Sequence, residues 1–297
     1  MGFLHFMSPM TIHLKNSIYM QKNYNLHDVL DKDKLSFKPD EYSEFKYGNN
    51  LISKKFGVAL AKGFIHTYEN ELLKKNIVVL SSPYAFIPTA SHSMTNHFTN
   101  YLNYWLKKQD NKTAEIVKIH RTITYKEDYG SLSAKKRLEL IGNDKFHIDK
   151  HLIKNKLLLF LDDIKITGSH QFIMERMVKE YKLDNNLFFI YFAALKNPNI
   201  HPRIENFFNN AKVKSVFDLN EFIENGNFRF NTRVVKFILS QKVDEFEHFI
   251  ENKNSNFIED LYYLAIGNRY DRMSVYSENL NHLEKQIFKD KIEITAV

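Results

Sequence analysis

The sequence predicts an α/β fold, a parallel sheet flanked by helices with a C-terminal helical appendage, on three observations. Short apolar runs at 77–80 (IVVL), 157–161 (LLLFL) and 186–194 (NLFFIYFAA) show no polar alternation, as strands buried on both faces of a parallel sheet do. The stretches between them hold apolar residues at helical spacing, the alternation that builds βαβ units. From Asn220 onward only helical spacing remains.

In chain order, residues 1–50 are polar and irregular, carry Asp31-Lys32-Asp33-Lys34 and break at Pro39. They read as an extended lead-in wrapped on the core. Residues 51–219 then form the α/β core. Ile52, Phe56, Leu60 and Phe64 predict a helix over 52–73, which Gly57 and Gly63 slightly weaken. Strand 77–80 opens into a small polar loop, and a second helix over 92–107 presents Met94, Phe98, Tyr101, Leu102 and Trp105 on one side. The run 115–120 (EIVKIH) alternates and predicts the next strand. A polar segment follows at 121–142, and loops of that length in compact domains are functional or mobile. The run 213–217 (VKSVF) is expected to add an edge strand.

Over 220–297 the helical sets are Val234, Phe237 and Ile238; Val243, Phe246 and Ile250; Phe257, Leu261 and Leu264; and Leu280, Leu283 and Ile287. The stretch 252–256 and Gly267-Asn268 punctuate them. Asn231-Thr232-Arg233 and Asn268-Arg269-Tyr270 stand at helix boundaries, where caps are the ordinary reading and site residues the sharper one.

Composition bounds the chemistry. With 43% hydrophobic residues, 25 Phe and 16 Tyr, the 297-residue chain can fill a large aromatic core. It has no cysteine, which excludes disulfides, thiolate zinc sites and a cysteine nucleophile, and fits a reducing cytoplasm. No apolar run approaches the ~20 residues that span a bilayer, so no membrane partner is expected. The first ten residues lack the basic region of a signal peptide. A net charge of +7 suits an anionic ligand and admits nucleic acid, but the lysines are scattered and describe a solvated surface.

The chemistry concentrates where run 157–161 meets Asp162 and Asp163, followed by Thr167, Gly168 and Ser169 and then a helical segment with Phe172, Met174 and Met177. Strand, acidic pair, small-residue turn and helix form an anion cradle, because backbone N–H groups and the positive helix end converge. An apolar strand ending in acids also occurs in P-loop ATPases, but none of the nine glycines belongs to a GxxxxGK[ST] motif. A dehalogenase-type phosphatase needs an acid at position 164, which is Ile. The bland alternative is a solvated acidic turn capping a helix.

The segment Asp162-Asp163-Ile164-Lys165-Ile166-Thr167-Gly168-Ser169-His170 resembles the phosphoribosyl pyrophosphate loop of type I phosphoribosyltransferases. Arg121 ending a strand, a Tyr-containing stretch and Leu132-Ser133 followed by Arg137 narrow the likeness to the ComF-like branch and its relatives in tellurite-resistance-type gene clusters. The resemblance implies a type I phosphoribosyltransferase-like sheet and a transferase that uses phosphoribosyl pyrophosphate with Mg²⁺. Asp162 and Asp163 would hold the ribose hydroxyls, directly or through the metal's water shell. Lys165, Ile166, Thr167, Gly168, Ser169 and His170 would wrap the 5′-phosphate, although the family usually has Thr or Ser where His170 stands. Arg121 would meet the diphosphate, with Ser82, Thr89, Ala90 and Ser91 as pyrophosphate-loop candidates and Tyr129 and Arg137 as candidates on a closing flap. The expected partner is phosphoribosyl pyrophosphate or a nucleotide-like ligand, and a homodimer is compatible. A nucleotide-sensing module without turnover and a competence- or defence-associated nucleic-acid binder are the other readings.

Overall fold

The computed structural model describes residues 20–122 and 145–294. At its centre lies a five-stranded, all-parallel sheet in the order β1-β7-β6-β2-β3. Its strands are β1 (Gln21–Val29), β2 (Ile77–Ser81), β3 (Glu115–Ile116), β6 (Leu157–Lys165) and β7 (Leu187–Leu195). A separate antiparallel ribbon pairs β4 (His120–Thr122) with β5 (Lys145–His147).

Alternation along the strands divides the buried residues between two layers. Leu157, Leu159 and Leu161 of β6 pack with α1 (Pro39–Lys46), α2 (Asn50–Leu72) and α3 (Ala90–Lys108). Leu158 and Phe160 face the other way, where they join Ile153 of α4 (Lys150–Ile153) and Ile173, Met174 and Met177 of α5 (Ser169–Glu180). Both faces are therefore covered, which is why β2, β6 and β7 read as unbroken apolar runs. Phe172 lies on the outer side of α5 and is exposed, so the expected apolar face of that helix turns to Ile173, Met174, Met177 and Val178 instead.

Helices α2 and α3 cross at Gly57. A Cβ there would meet the Met94 carbonyl oxygen at 2.5 Å and the Phe98 amide nitrogen at 2.9 Å. The glycine that weakens helix propensity is what permits this close approach.

Three expectations are corrected. The extended, irregular lead-in contains the edge strand β1 and helix α1; β1 pairs with β7 from Gln21↔Leu187 to Val29↔Leu195. An edge strand is held by main-chain bonds and needs no apolar run, so QKNYNLHDV carries little pattern. The strand expected over 115–120 is split: β3 pairs with β2, and His120 starts the ribbon. The edge strand expected at 213–217 is a 3-10 turn, Val216–Leu219, started by a Ser215–Asp218 capping box. Val213, Val216 and Leu219 are three apart, so one side of such a turn buries all of them.

The last third is helical: α6 (Ile204–Asn209), α7 (Asn220–Glu224), α8 (Thr232–Leu239), α9 (Val243–Ile250), α10 (Ser255–Gly267) and α11 (Ser274–Ile294). From α7 onward these helices enclose their own apolar cluster, which also takes in Tyr47 and Ile87 from the sheet side. No helix among the described residues is long and apolar enough to cross a membrane.

Candidate functional site

Strand β6 runs through both acids to Lys165, so consecutive side chains leave on opposite faces of the sheet. Asp162 turns toward α5, and its Oδ2 lies 2.6 Å from His170 Nδ1. Its Oδ1 accepts from Ser82 Oγ at 2.7 Å and from the Asp163 backbone N–H at 2.9 Å. The hydroxyls continue away from the acid, with Ser91 Oγ donating to Ser82 Oγ at 2.9 Å and Thr89 Oγ1 lying 2.9 Å from Ser91 Oγ. Three of the pyrophosphate-loop candidates thus form one chain ending on Asp162. Ala90 starts α3 and contributes no polar side chain.

Asp163 turns toward α1 and is only 7% exposed. Its Oδ2 accepts from Tyr42 Oη at 2.9 Å and from Lys46 Nζ in a buried ion pair. The two acids expected to hold ribose hydroxyls thus have different partners, His170 and Ser82 for Asp162 and Tyr42 and Lys46 for Asp163. Both are engaged by the protein, Asp162 in a half-buried position and Asp163 in a buried one.

The turn after β6 has the shape expected of a phosphate cradle. Gly168 adopts φ 75°, a left-handed conformation that costs glycine least, and starts α5. The first N–H groups of that helix have no carbonyl partner within it. Thr167 Oγ1 and Ser169 Oγ are 2.8 Å apart on the exposed side of the turn. Ile166 packs on the core, and the Lys165 side chain passes beside Gly168 to donate from Nζ to Gln171 Oε1 at 2.7 Å in the first turn of α5. Arg121 lies on the ribbon, where its backbone N–H donates to the Tyr84 carbonyl at 3.2 Å and its charge acts on His170. The flap candidates Tyr129 and Arg137 lie outside the described residues.

Electrostatics follow this geometry. Burial pushes the Asp162 carboxyl up, but the charge of His170, hydrogen bonds from His170 and Ser82, and the Lys46 charge outweigh it and hold the group well below the ordinary range. Burial pushes His170 down, yet Asp162 wins and the imidazole is raised. The Tyr42 phenol is raised by burial and by the Asp163 charge, so it stays a donor. Among the described residues no group of three or more His, Asp or Glu side chains could hold a metal ion.

A family model described as PRTase ComF-like matches residues 20–283. The chain belongs to that family.

No curated protein matches this ComF-like chain. It is similar to the hypoxanthine phosphoribosyltransferase of Staphylococcus aureus over 48% of its own length and 74% of that chain, at 13% identity and a TM-score of 0.31. The hypoxanthine phosphoribosyltransferase of Trypanosoma cruzi matches over 50% and 77%, at 15% identity and a TM-score of 0.34.

Several residues of this ComF-like site carry no motif of their own. Lys46 and Tyr42 come from α1, whose start is marked only by Pro39 with Asp40 and Glu41 in the first turn. Asn231 accepts from the Val234 N–H as the cap of α8 and donates from Nδ2 to the Lys46 carbonyl at 3.1 Å. Thr232 donates from Oγ1 to the Ile87 carbonyl at 3.0 Å, and Asn268 Oδ1 accepts from the Phe86 and Ile87 N–H groups. The polar clusters at the helix boundaries are therefore caps and braces at once. They tie the C-terminal helices to the 82–91 loop and to the lysine facing Asp163.

Proposed function

We propose that this chain binds phosphoribosyl pyrophosphate, or a related phosphorylated ribose, and transfers the phosphoribosyl group to or from a nucleobase-like acceptor. The observation that carries this reading is the acidic end of β6 passing through a left-handed glycine into α5. Backbone N–H groups from Thr167 to His170, with the Thr167 and Ser169 hydroxyls, would bind the 5′-phosphate. Asp162 is held ionised and is the less buried of the two acids, so it would take a ribose hydroxyl. Arg121 would stabilise the departing diphosphate charge.

The oxygen donors fit Mg²⁺, which keeps several waters and takes one or two carboxylates beside substrate phosphates, so a cage of three protein ligands is not required. Asp162 and Asp163 would reach it through its water shell, and bound there it would supply Lewis-acid polarisation of the diphosphate.

A second reading, binding without turnover, draws support from the Lys46–Asp163 pair, which occupies one of the two acids. Pyrophosphate release from phosphoribosyl pyrophosphate with Mg²⁺, measured against a panel of bases, separates the two. Transfer predicts turnover that Asp162→Asn and Asp163→Asn abolish. Saturable binding with no pyrophosphate release under any acceptor would overturn transfer in favour of sensing. Failure to bind the donor at all would overturn both.

A further inference from the structure

A cavity of about 350 Å³ opens between the start of α2, the first turns of α3 and the segment that precedes α8, within the size range of small-molecule sites. Asp162, Asp163, His170 and the turn after β6 are not among the residues that line it. No carboxylate lines it, whereas Arg229 stands at its exposed mouth and Phe230 forms an apolar wall. The remaining polar side chains are amides, imidazoles and the hydroxyls of Ser53, Thr89 and Ser93.

Asn50 Oδ1 accepts from Ser93 Oγ at 3.0 Å and from His97 Nε2 at 3.0 Å. Those bonds set the tautomer: His97 carries its proton on Nε2, leaving Nδ1 an acceptor and Asn50 Nδ2 a donor. Burial, with the charges of Lys54 and Arg229, lowers His97, so the ring is neutral at pH 7 and keeps both functions. Asn96 adds a second amide on the same wall, with no hydrogen-bond partner among the described residues. Adjacent donors and acceptors beside an aromatic ring match the edge and face of a planar heterocycle. One guanidinium stands at the rim, with Nη1 donating to the Phe228 carbonyl at 3.0 Å, and no carboxylate lines this cavity, so the other guanidinium N–H groups match a single phosphate.

We propose that this cavity is a second ligand site, separate from the acidic pair, that takes a nucleoside monophosphate. The heterocycle lies against Phe230 with its edge read by Asn50, Asn96 and His97, and the phosphate meets Arg229. The site does not depend on phosphoribosyl transfer. Two of its walls continue to the acidic pair: Thr89 heads the hydroxyl chain to Asp162, and Asn231 holds the carbonyl of Lys46. Occupancy therefore bears on both aspartates through bonds already in place.

Calorimetric titration of the full chain with AMP, GMP, CMP and UMP without Mg²⁺ tests this, with inorganic phosphate and the parent nucleosides as separate arms. The expected result is saturable binding of at least one nucleotide, tighter than its nucleoside or phosphate. Arg229→Ala and Asn96→Ala should each weaken it by about tenfold, the loss of one charged or well-placed hydrogen bond. Arg229 is exposed and Asn96 half-buried, so both variants should retain the wild-type melting profile. The proposal is overturned if none of the four binds at millimolar concentration or if phosphate alone binds as tightly. It is equally overturned if His170→Ala abolishes binding while Arg229→Ala does not, which would put the nucleotide in the turn after β6.

Discussion

Replacing Lys46 by methionine tests the contact that most changes the meaning of the acidic pair. The Lys46 and Asp163 side chains are 13% and 9% exposed, so the pair is little screened by water. Removing the ammonium leaves a buried carboxylate with Tyr42 as its remaining side-chain donor. Breaking one half of a buried pair costs about 3–5 kcal/mol, and the surviving Tyr42 bond places Lys46→Met near the lower end, about 3 kcal/mol. At about 2–4 °C per kcal/mol, the melting temperature should fall by about 6–12 °C. Lys46→Met with Asp163→Asn removes both charges and should recover most of that loss. A double-mutant cycle by urea unfolding should then give a coupling of about 2 kcal/mol or more. A Lys46→Met variant within about 1 kcal/mol of wild type, the value of an exposed pair, would refute the argument that Asp163 is held by an internal counterion.

Three further outcomes follow from the same geometry. The depressed Asp162 carboxyl stabilises the fold above its unfolded value of about 3.9 and loses that contribution as pH falls through its folded value; the raised His170 contributes fully below about 6.5 and loses it as pH rises through its folded value. The stability gap between wild type and His170→Gln should therefore be widest between about pH 4 and 6.5 and shrink toward alkaline pH, as thermal melts across that range would report. Gly57→Ala should cost about 1–3 kcal/mol in chemical unfolding, because its Cβ has no room against the Met94 carbonyl at 2.5 Å. Asn231→Ala should cost about 1–2 kcal/mol as a lost cap, and it should also shift the proton resonances of Lys46, which loss of a cap alone would leave in place.

Much of this molecule is legible in local pattern. The apolar runs of β2, β6 and β7 announce a sheet covered on both faces, since burial on both sides leaves no polar position to interrupt them. The spacing from Asp162 to Gly168 marks a strand, a left-handed turn and a helix start, all of them short-range features. The 3-10 turn at Val216–Leu219 was hidden because Val213, Val216 and Phe217 are residue types favoured in strands, and only the Ser215–Asp218 box marks the turn.

Local pattern ends where partners come from distant parts of the chain. Strand β1 is polar because an edge is held by its backbone, and α1 brings Lys46 to Asp163 across 117 positions of sequence. The direction in which each aspartate faces depends on strand pleat and on which helix covers each side of the sheet. Asn231 and Asn268 look like caps in isolation and become braces only when α8 and α10 dock against the 82–91 loop and α1. Residue types and short spacings thus specify the elements and the phosphate-type turn. Docking of remote elements sets which charges meet, because Coulombic and hydrogen-bond energies depend on distances in space that separation along the chain does not encode.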